Sequence, residues 1–141
     1  AVMKQYWLIK SEPSSWSWDD QVKAGKKGTA WSGVRNHLAK KNLMAMKKGD
    51  ECFFYNSNDG KNIVGICKVV KTHYPDPTAA KGEPWVVVDV AAAKPLPRPV
   101  TLADIKATPK LAKMSLVTSA RLSVQPVTHA EWALVCKMGR L

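Results

Sequence analysis

The sequence predicts a mixed α+β fold, a small and mostly antiparallel β-barrel flanked by short helices. Roughly five or six apolar, β-branched segments follow one another through tight turns, as strands do in local hairpins. Three or four short helical segments accompany them, a pattern that favours a curled mixed sheet over a doubly wound βαβ fold. No repeat, linker or change of composition divides the 141 residues, so we expect a single domain over residues 1–141.

The strands are predicted from apolar runs and the turns that bound them. QYWLIK (5–10) predicts a first strand that ends at SEP. ECFFYNS and NIVGICKVVKTHY predict a hairpin closed by the turn NDGK. PWVVVDVAAA is apolar on both faces and predicts a central strand, and ARLSVQPV predicts a late one.

The helices are predicted from capping residues. Three pairs have the spacing of an N-cap and its N3 partner, namely Ser17 with Asp20, Thr101 with Asp104, and Thr128 with Glu131. The last of these begins a helix that Gly139 ends. A further helix is predicted from about Gly33, with Ser32 as its N-cap, into NLMAMKKGD.

Charge gives the first indication of function. The formal net charge is +11 and the isoelectric point is about 9.7, and an excess of this size on a small domain attracts polyanions, above all nucleic acid. A basic surface without any partner is the alternative. The three dispersed cysteines suggest buried reduced thiols, and no apolar run has the length of a membrane span. We therefore expect a cytoplasmic monomer without a membrane partner.

Motifs for catalysis are weak in this sequence. It contains no G-x-G-x-x-G, no P-loop and no H-E-x-x-H. His37, His73 and His129 stand apart in sequence and lack the spacing of metal ligands. Glu12, close to Lys10, is the best candidate for an acid–base group, but a carboxylate beside a lysine is more often an ion pair.

Residues suited to binding a flat heterocycle recur at predicted strand ends and helix starts. Ring faces stack on a base, while hydroxyl and amide groups read its hydrogen-bonding edge. The aromatic candidates are Tyr6, Trp7, Trp31, Tyr55, Tyr74 and Trp85, and the polar candidates are Ser11, Ser32, Asn36, Ser57, Asn58 and Ser123. The sequence thus favours a binding site over a catalytic one.

The segment AWSGVRNHLAKKN carries the strongest single signal. With Ser32 as N-cap, a hydrophobic staple would join Trp31 to Asn36, which offers no apolar partner. Arg35 would stand at N3, where its charge opposes the helix macrodipole. Local stability does not explain these choices. A site does, because an open helix N-terminus, an aromatic face and an arginine together suit a phosphate and a base.

Structural roles remain open for several of these residues. In the structural alternative, Trp31 closes the end of the barrel and Arg35 pairs with Glu12 or Asp50. The other tryptophans have structural interpretations as well, in the core for Trp7, Trp85 and Trp132, and bracing the first helix for Trp16 and Trp18.

Several blocks of the chain resemble the EVE domain family, of the thymocyte nuclear protein type. The blocks are YWLIKSEP, WSGVRNHLAKKNLMAMKKGD, FFYNSNDGKNIVGI, YPDPTA, WVVVDV, PVTLADIKATPKLAKMSLV and RLSVQPVTHAEW, which cover nearly the whole chain in order. The resemblance implies a PUA-like barrel, shared with YTH readers of N6-methyladenine and with ASCH domains. It also implies a reader of modified bases, with a pocket for an extruded base.

Carried over by motif, the resemblance implies a pocket built from four places. The residues are Lys10, Ser11 and Glu12 at the first strand end, Trp31, Ser32, Arg35 and Asn36 at the helix start, Tyr55, Ser57 and Asn58 on the hairpin, and Arg121 and Ser123 on the late strand. By similarity to YTH readers, Trp31 and Ser32 stand where a cage tryptophan and its neighbouring hydroxyl act, and Trp85 lies near a second wall. Two departures from the family pattern are Asn56, where a histidine is usual, and the absence of an arginine near Thr118.

Residues and resemblance together predict a non-catalytic module that binds modified DNA or RNA. Its aromatic pocket would read a base such as methylated or hydroxymethylated cytosine, without a cofactor or a metal. One alternative is a small ASCH-like amidohydrolase acting on modified nucleosides, with Lys10 and Glu12 as nucleophile activator and acid–base group. The other is a protein-interaction module whose basic surface meets an acidic partner.

Overall fold

A computed structural model of the protein describes residues 4–58 and 60–141. Within these residues the chain forms six strands and five α-helices. In chain order they are β1 (Tyr6–Ser11), α1 (Trp18–Lys23), β2 (Thr29–Ala30), α2 (His37–Ala45), β3 (Glu51–Asn56), β4 (Asn62–Pro75), β5 (Val86–Thr101), α3 (Leu102–Lys106), α4 (Ser115–Thr118), β6 (Val124–Val127) and α5 (His129–Met138). Two short 3-10 turns, Gly25–Lys27 and Pro109–Leu111, complete the order.

The strands form one mixed sheet in the order β2-β5-β4-β3-β1-β6. The β3–β4 hairpin is antiparallel, as the apolar runs and the NDGK turn predict, and the long β4–β5 pair is antiparallel as well. Asp59, within the predicted NDGK turn, lies outside the described residues. β1 pairs in parallel with β3 and antiparallel with β6, which places the first strand inside the sheet. The predicted α+β class with a mostly antiparallel sheet is confirmed.

Both faces of the sheet are buried, because alternate residues of each strand point to opposite sides. Trp7 and Ile9 belong to a first apolar cluster that also holds Trp31 and Phe54. Leu8 lies on the other face, in a second cluster with Phe53, Trp132 and other side chains from α3 to α5. We call these the Phe54 cluster and the Trp132 cluster. The core roles predicted for Trp7 and Trp132 are confirmed, as each is less than a tenth exposed.

Local capping signals located three helices correctly. Capping boxes are present at Ser17 for α1, at Thr101 for α3 and at Thr128 for α5. In each, the side-chain oxygen of the N-cap accepts a hydrogen bond from the N3 backbone, and the N3 carboxylate accepts one from the N-cap backbone. Six orphan N–H donors are thereby satisfied by residues adjacent in sequence.

The second helix begins later than predicted, so Ser32 is not its N-cap. α2 starts at His37, and its N-cap is Asn36, whose side-chain oxygen accepts a hydrogen bond from the Ala39 N–H at 3.0 Å. Gly33 has a φ of +82°, a left-handed conformation that cannot belong to an α-helix. Arg35 consequently precedes the helix, so the predicted position of Arg35 at N3 is wrong and its charge does not stand in the first turn.

Two strand boundaries also differ from prediction. β6 covers only the second half of ARLSVQPV, because the preceding residues turn, with the Leu122 N–H donating to the Ser119 carbonyl at 3.0 Å. β5 begins at Val86, so Trp85 precedes the strand and is half-buried rather than part of the core. No helix in residues 4–58 or 60–141 combines the length and apolar character that crossing a membrane requires.

Candidate functional site

A cavity of about 640 Å³ lies at the end of β1, in the size range of small-ligand sites. It is surrounded by residues 10–12 at the end of β1, residues 15–16 in the following loop, and residues 29–33 in and after β2. The lining residues are Lys10, Ser11, Glu12, Ser15, Trp16, Thr29, Ala30, Trp31, Ser32 and Gly33. Five of the predicted site residues are therefore brought together here, namely Lys10, Ser11, Glu12, Trp31 and Ser32.

Trp31 is fixed on one side by the core and borders the cavity on the other. β2 pairs with β5, and directly after it the Trp31 N–H donates to the Val88 carbonyl at 2.8 Å. The indole is only 7% exposed and meets the Phe54 ring edge-to-face, with the ring centroids 5.8 Å apart. The same ring thus packs in the core and borders the cavity, although the sequence presented these as alternatives.

Trp16 is a second aromatic lining residue, and the sequence predicted only a structural role for it. Its indole N–H donates to Gln21 Oε1 at 2.8 Å, and the fully buried Gln21 amide donates in turn to the Val90 carbonyl at 3.0 Å. The Ser11 hydroxyl donates to the Trp16 carbonyl. Gln21 lies in α1, four residues past the Ser17 N-cap, and its burial and its bond to β5 leave no local signal in the sequence that marks Trp16 as an anchored ring.

Arg35 is held beside the cavity by a buried carboxylate rather than by the acids considered from the sequence. Its guanidinium pairs with Asp76 Oδ2 at 2.9 Å and donates to the Thr78 hydroxyl at 3.2 Å. The same Asp76 oxygen accepts the N–H of Gly33, a lining residue, at 3.0 Å. Pairing with Glu12 or Asp50 is therefore wrong, and Asp76 in the YPDPTA block fixes both Arg35 and the rim of the cavity.

The surroundings of Asp76 stabilise its charged form. Burial alone would raise the pKa of this carboxyl. Hydrogen bonds from Thr78, Arg35 and the Gly33 backbone outweigh burial and lower the pKa to about 2. A carboxylate this well satisfied at neutral pH acts as a permanent anchor, not as a group that exchanges protons.

Trp85 lies on the Arg35 side of this anchor and does not line the cavity. The Arg35 guanidinium carbon is 5.7 Å from the centre of the Trp85 ring, and the His37 ring is 5.0 Å from it. Asn36 is likewise outside the lining, and its amide oxygen is used by the α2 cap. The structure thus places three predicted residues, Arg35, Asn36 and Trp85, beside the cavity rather than around it.

The predicted residues of the hairpin and the late strand contact the lining residues from outside. The Ser57 hydroxyl donates to the Ser11 carbonyl at 3.2 Å, and Asn58 Nδ2 donates to Glu12 Oε1 at 2.8 Å. On the β6 side, the Lys10 N–H donates to the Ser123 carbonyl at 3.0 Å. These contacts support the edge of the cavity that β1 provides.

Lys10 has a partly enclosed ammonium group. Its Nζ donates to the Ala120 carbonyl and lies 5.8 Å from the centre of the Tyr55 ring. Burial lowers the pKa of Lys10 from its usual value. Arg121, next along the chain after Ala120, is exposed and does not line the cavity.

The remaining candidates lie elsewhere. Tyr6 stacks on Trp132 at 4.3 Å, and the Tyr74 hydroxyl donates to Asp89, an interaction that together with burial raises the pKa of Tyr74 to about 12. Asn56 Nδ2 donates to Asn62 Oδ1 at 3.0 Å. Among the described residues, no three His, Cys, Asp or Glu side chains are grouped so that they could hold a metal ion.

Comparison with known proteins shows the family to which the chain is related. The EVE domain matches residues 5–138. The chain belongs to the EVE domain family. Thymocyte nuclear protein 1 of Homo sapiens is 35% identical over 167 aligned positions, which cover 96% of this chain and 74% of the relative. The family prediction made from the sequence blocks is confirmed.

Solved structures of EVE relatives share the whole fold. A protein from Agrobacterium tumefaciens is 54% identical with a TM-score of 0.95, over 97% of this chain and 94% of that one. Human THYN1 protein in complex with 5-methylcytosine-containing DNA is 35% identical with a TM-score of 0.88, over 98% of this chain and 99% of that one. The PUA-like fold predicted for this EVE domain is confirmed.

Proposed function

We propose that this EVE domain is a non-catalytic module that binds nucleic acid and holds a modified base, a methylated cytosine, in the cavity at the end of β1. The cavity itself carries the proposal, since it joins two anchored tryptophans to hydroxyl, carboxylate and ammonium groups. The net charge of +11 suits a polyanionic partner. The family relationship to a human protein solved with 5-methylcytosine-containing DNA supports the choice of base.

The structure suggests how such a base would be held. A base that is stacked and paired inside a duplex cannot enter a cavity of the protein, so it must be extruded or come from a single strand. Its face would stack on tryptophan, which contributes about 1–3 kcal/mol per base. Lys26 and Lys27 are exposed in the 3-10 turn just before Thr29, a lining residue, and suit contacts with backbone phosphates.

Binding to matched oligonucleotides tests this function. Strands of one sequence would carry cytosine, 5-methylcytosine or 5-hydroxymethylcytosine at one position, as single-stranded DNA, duplex DNA and RNA. One buried methyl group contributes about 0.8 kcal/mol, so we expect about fourfold tighter binding of 5-methylcytosine than of cytosine. Anisotropy of a labelled strand gives the affinity, and quenching of tryptophan fluorescence reports occupancy of the cavity. Equal affinity for all three bases in every context would contradict the proposal.

A second measurement separates binding from catalysis. After long incubation with an N4-acylated cytidine and with the 5-methylcytosine strand, both are expected to be recovered unchanged by mass spectrometry. Hydrolysis that disappears in Glu12→Ala would instead assign the cavity to an amidohydrolase.

A further inference from the structure

Two residues of opposite charge, Lys10 and Glu12, line the cavity without neutralising each other. The ion pairs found in residues 4–58 and 60–141 are Lys4 with Glu51 and Arg35 with Asp76, so Lys10 and Glu12 are not joined within 4.0 Å. The ion pair that their closeness in sequence favoured is therefore not formed. Each charge remains available to a ligand.

The Glu12 carboxylate is held in place from one side only. Its Oε1 accepts a hydrogen bond from Asn58 Nδ2 at 2.8 Å, and its second oxygen accepts none from the described residues. Its backbone carbonyl accepts the N–H groups of Ser15 and Trp16 at 2.9 and 2.8 Å, in the turn that carries the Trp16 ring. Glu12 thus presents one oriented oxygen beside an aromatic lining residue.

The Lys10 ammonium is also oriented, since one of its three protons goes to the Ala120 carbonyl. The other two are free to donate to a ligand. Lys10 belongs to β1 and Glu12 follows its last residue, so the Cα atoms of the two residues are about 6.6 Å apart where the chain is extended. This backbone spacing leaves room for the two side chains to address the two outer groups of a base edge. The cavity therefore offers a donor at one end and an acceptor at the other.

We propose that Lys10 and Glu12 read the hydrogen-bonding edge of the base and so select a 4-aminopyrimidine, the cytosine type, against a 4-oxopyrimidine, the thymine and uracil type. This inference rests on the proposed function, because it assigns the chemistry of the same cavity. The outer groups of the cytosine edge are the N4 amino donor and the O2 acceptor, which match a carboxylate and an ammonium.

Thymine matches this arrangement less well in either direction, because N3–H, the one donor on its edge, lies at the centre and not at an outer position. Both of its outer groups, O4 and O2, are acceptors, so one of them must face the Glu12 carboxylate, which is also only an acceptor. The methyl group of 5-methylcytosine is present in thymine as well, so the aromatic walls alone would not distinguish the two bases. Glu12 therefore distinguishes an amino from an oxo group at position 4 of the base, and the aromatic lining residues detect the methyl group at position 5.

A set of four single-stranded oligonucleotides separates the two kinds of selection. They differ only in one base, which is cytosine, 5-methylcytosine, 2′-deoxyuridine or thymine, and single strands remove differences in the cost of base opening. Comparing amino with oxo bases at constant methylation measures reading of the edge. Comparing methylated with unmethylated bases at a constant edge measures reading of the modification.

We expect the wild type to bind each amino base at least about tenfold more tightly than its oxo counterpart, since hydrogen bonds to charged groups are the stronger ones. Glu12→Gln should reduce this ratio by about tenfold, because an amide can donate to O4 as well as accept from N4. The preference for a methyl group should not change. Asp19→Asn removes one negative charge from an exposed residue outside the cavity lining and serves as the control, with the wild-type ratio expected.

Asn58→Ala provides a second variant, since it keeps the carboxylate but removes the amide that orients it. We expect a smaller decrease of the same ratio, with the melting temperature of each variant confirming that it is folded. Equal wild-type binding of 5-methylcytosine and thymine, or a ratio unchanged in both variants, would overturn the reading of the edge. A ratio that falls in Glu12→Gln without any preference for methylation would uphold it and refute the modified-base function instead.

Discussion

Replacing Trp31 by alanine should weaken both the fold and the binding of the base, by amounts that can be estimated separately. The ring is 7% exposed and packs edge-to-face on Phe54, so its loss should cost about 3 kcal/mol of unfolding free energy. For 141 residues the unfolding entropy is about 0.3 kcal/mol per kelvin, so the melting temperature should fall by about 10 °C. Loss of one stacking surface should make the binding free energy less favourable by about 1–3 kcal/mol, which raises the Kd about 5- to 150-fold.

Trp18 supplies a matched control for the stability effect. Its ring also meets Phe54 edge-to-face, with centroids 5.3 Å apart, and packs against the same cluster, yet it does not line the cavity. Trp18→Ala should therefore lower the melting temperature as Trp31→Ala does and leave the Kd for 5-methylcytosine DNA near that of the wild type. Anisotropy titrations at about 15 °C, with unfolding followed by circular dichroism, give both quantities while each variant is folded.

Two results would refute this reasoning. Wild-type affinity in folded Trp31→Ala would show that the ring supports the core without contacting the base. An equal loss of affinity in Trp18→Ala would show that binding responds to any loosening of the Phe54 cluster.

Other contacts predict changes in stability and in salt dependence. The pKa of Asp76 is about 2 in the fold against 3.8 for an ordinary carboxyl, so its charge stabilises the fold above pH 5 by about 2 kcal/mol, which is lost as the pH falls to about 2. Urea unfolding should show that Asp76→Asn loses less unfolding free energy than the wild type when the pH falls from 5 to about 2. Replacing Lys26 and Lys27 by alanine should lower the slope of log affinity against log salt for single strands by about 1.4. Gly65→Ala brings a methyl group into collision with the Trp18 ring and should lower the free energy of unfolding in urea by about 1–3 kcal/mol.

Each of these outcomes has its own control. Lys106 and Lys110 belong to the side of the Trp132 cluster, and their double replacement should leave the salt slope unchanged. A clash with the Trp18 ring requires that Gly65→Ala cost much less when Trp18 is already alanine, and equal costs would exclude the clash. If the unfolding free energy falls as much at low pH in Asp76→Asn as in the wild type, other carboxyl groups cause the decrease.

The sequence predicted the elements whose signals are local. Three capping boxes lie within four residues each, so α1, α3 and α5 could be located without knowledge of the fold. The start of α2 could not be located in this way, because Ser32 and Asn36 both offer a side-chain oxygen that could cap a helix. Only the left-handed conformation of Gly33, seen in the structure, excludes Ser32 as the N-cap. The parallel pairing of β1 with β3 joins residues more than forty positions apart and has no local signature.

The residues that line the cavity could be predicted only in part, for the same reason. Lys10, Ser11, Glu12, Trp31 and Ser32 occur in two compact motifs, and the structure brings these motifs to one cavity. The role of Trp16 depends on a buried amide that reaches β5, and that of Asp76 depends on a hydrogen bond to a backbone N–H forty-three residues earlier. Such long-range contacts become visible only in the folded chain.

The two aromatic lining residues of the cavity are attached to the protein in different ways. Trp31 is buried in the Phe54 cluster and its backbone N–H donates directly to β5. Trp16 lies in the loop between β1 and α1, is half-exposed, packs against the outside of the same cluster, and is linked to β5 only through Gln21. Amide hydrogens near Trp31 should therefore exchange only in global unfolding, while those of the loop exchange through local opening. Of the two aromatic lining residues, Trp16 is the one whose surroundings can open locally to admit a base. The rate of association would then depend on this loop, and the orientation of the bound base would be set by Trp31.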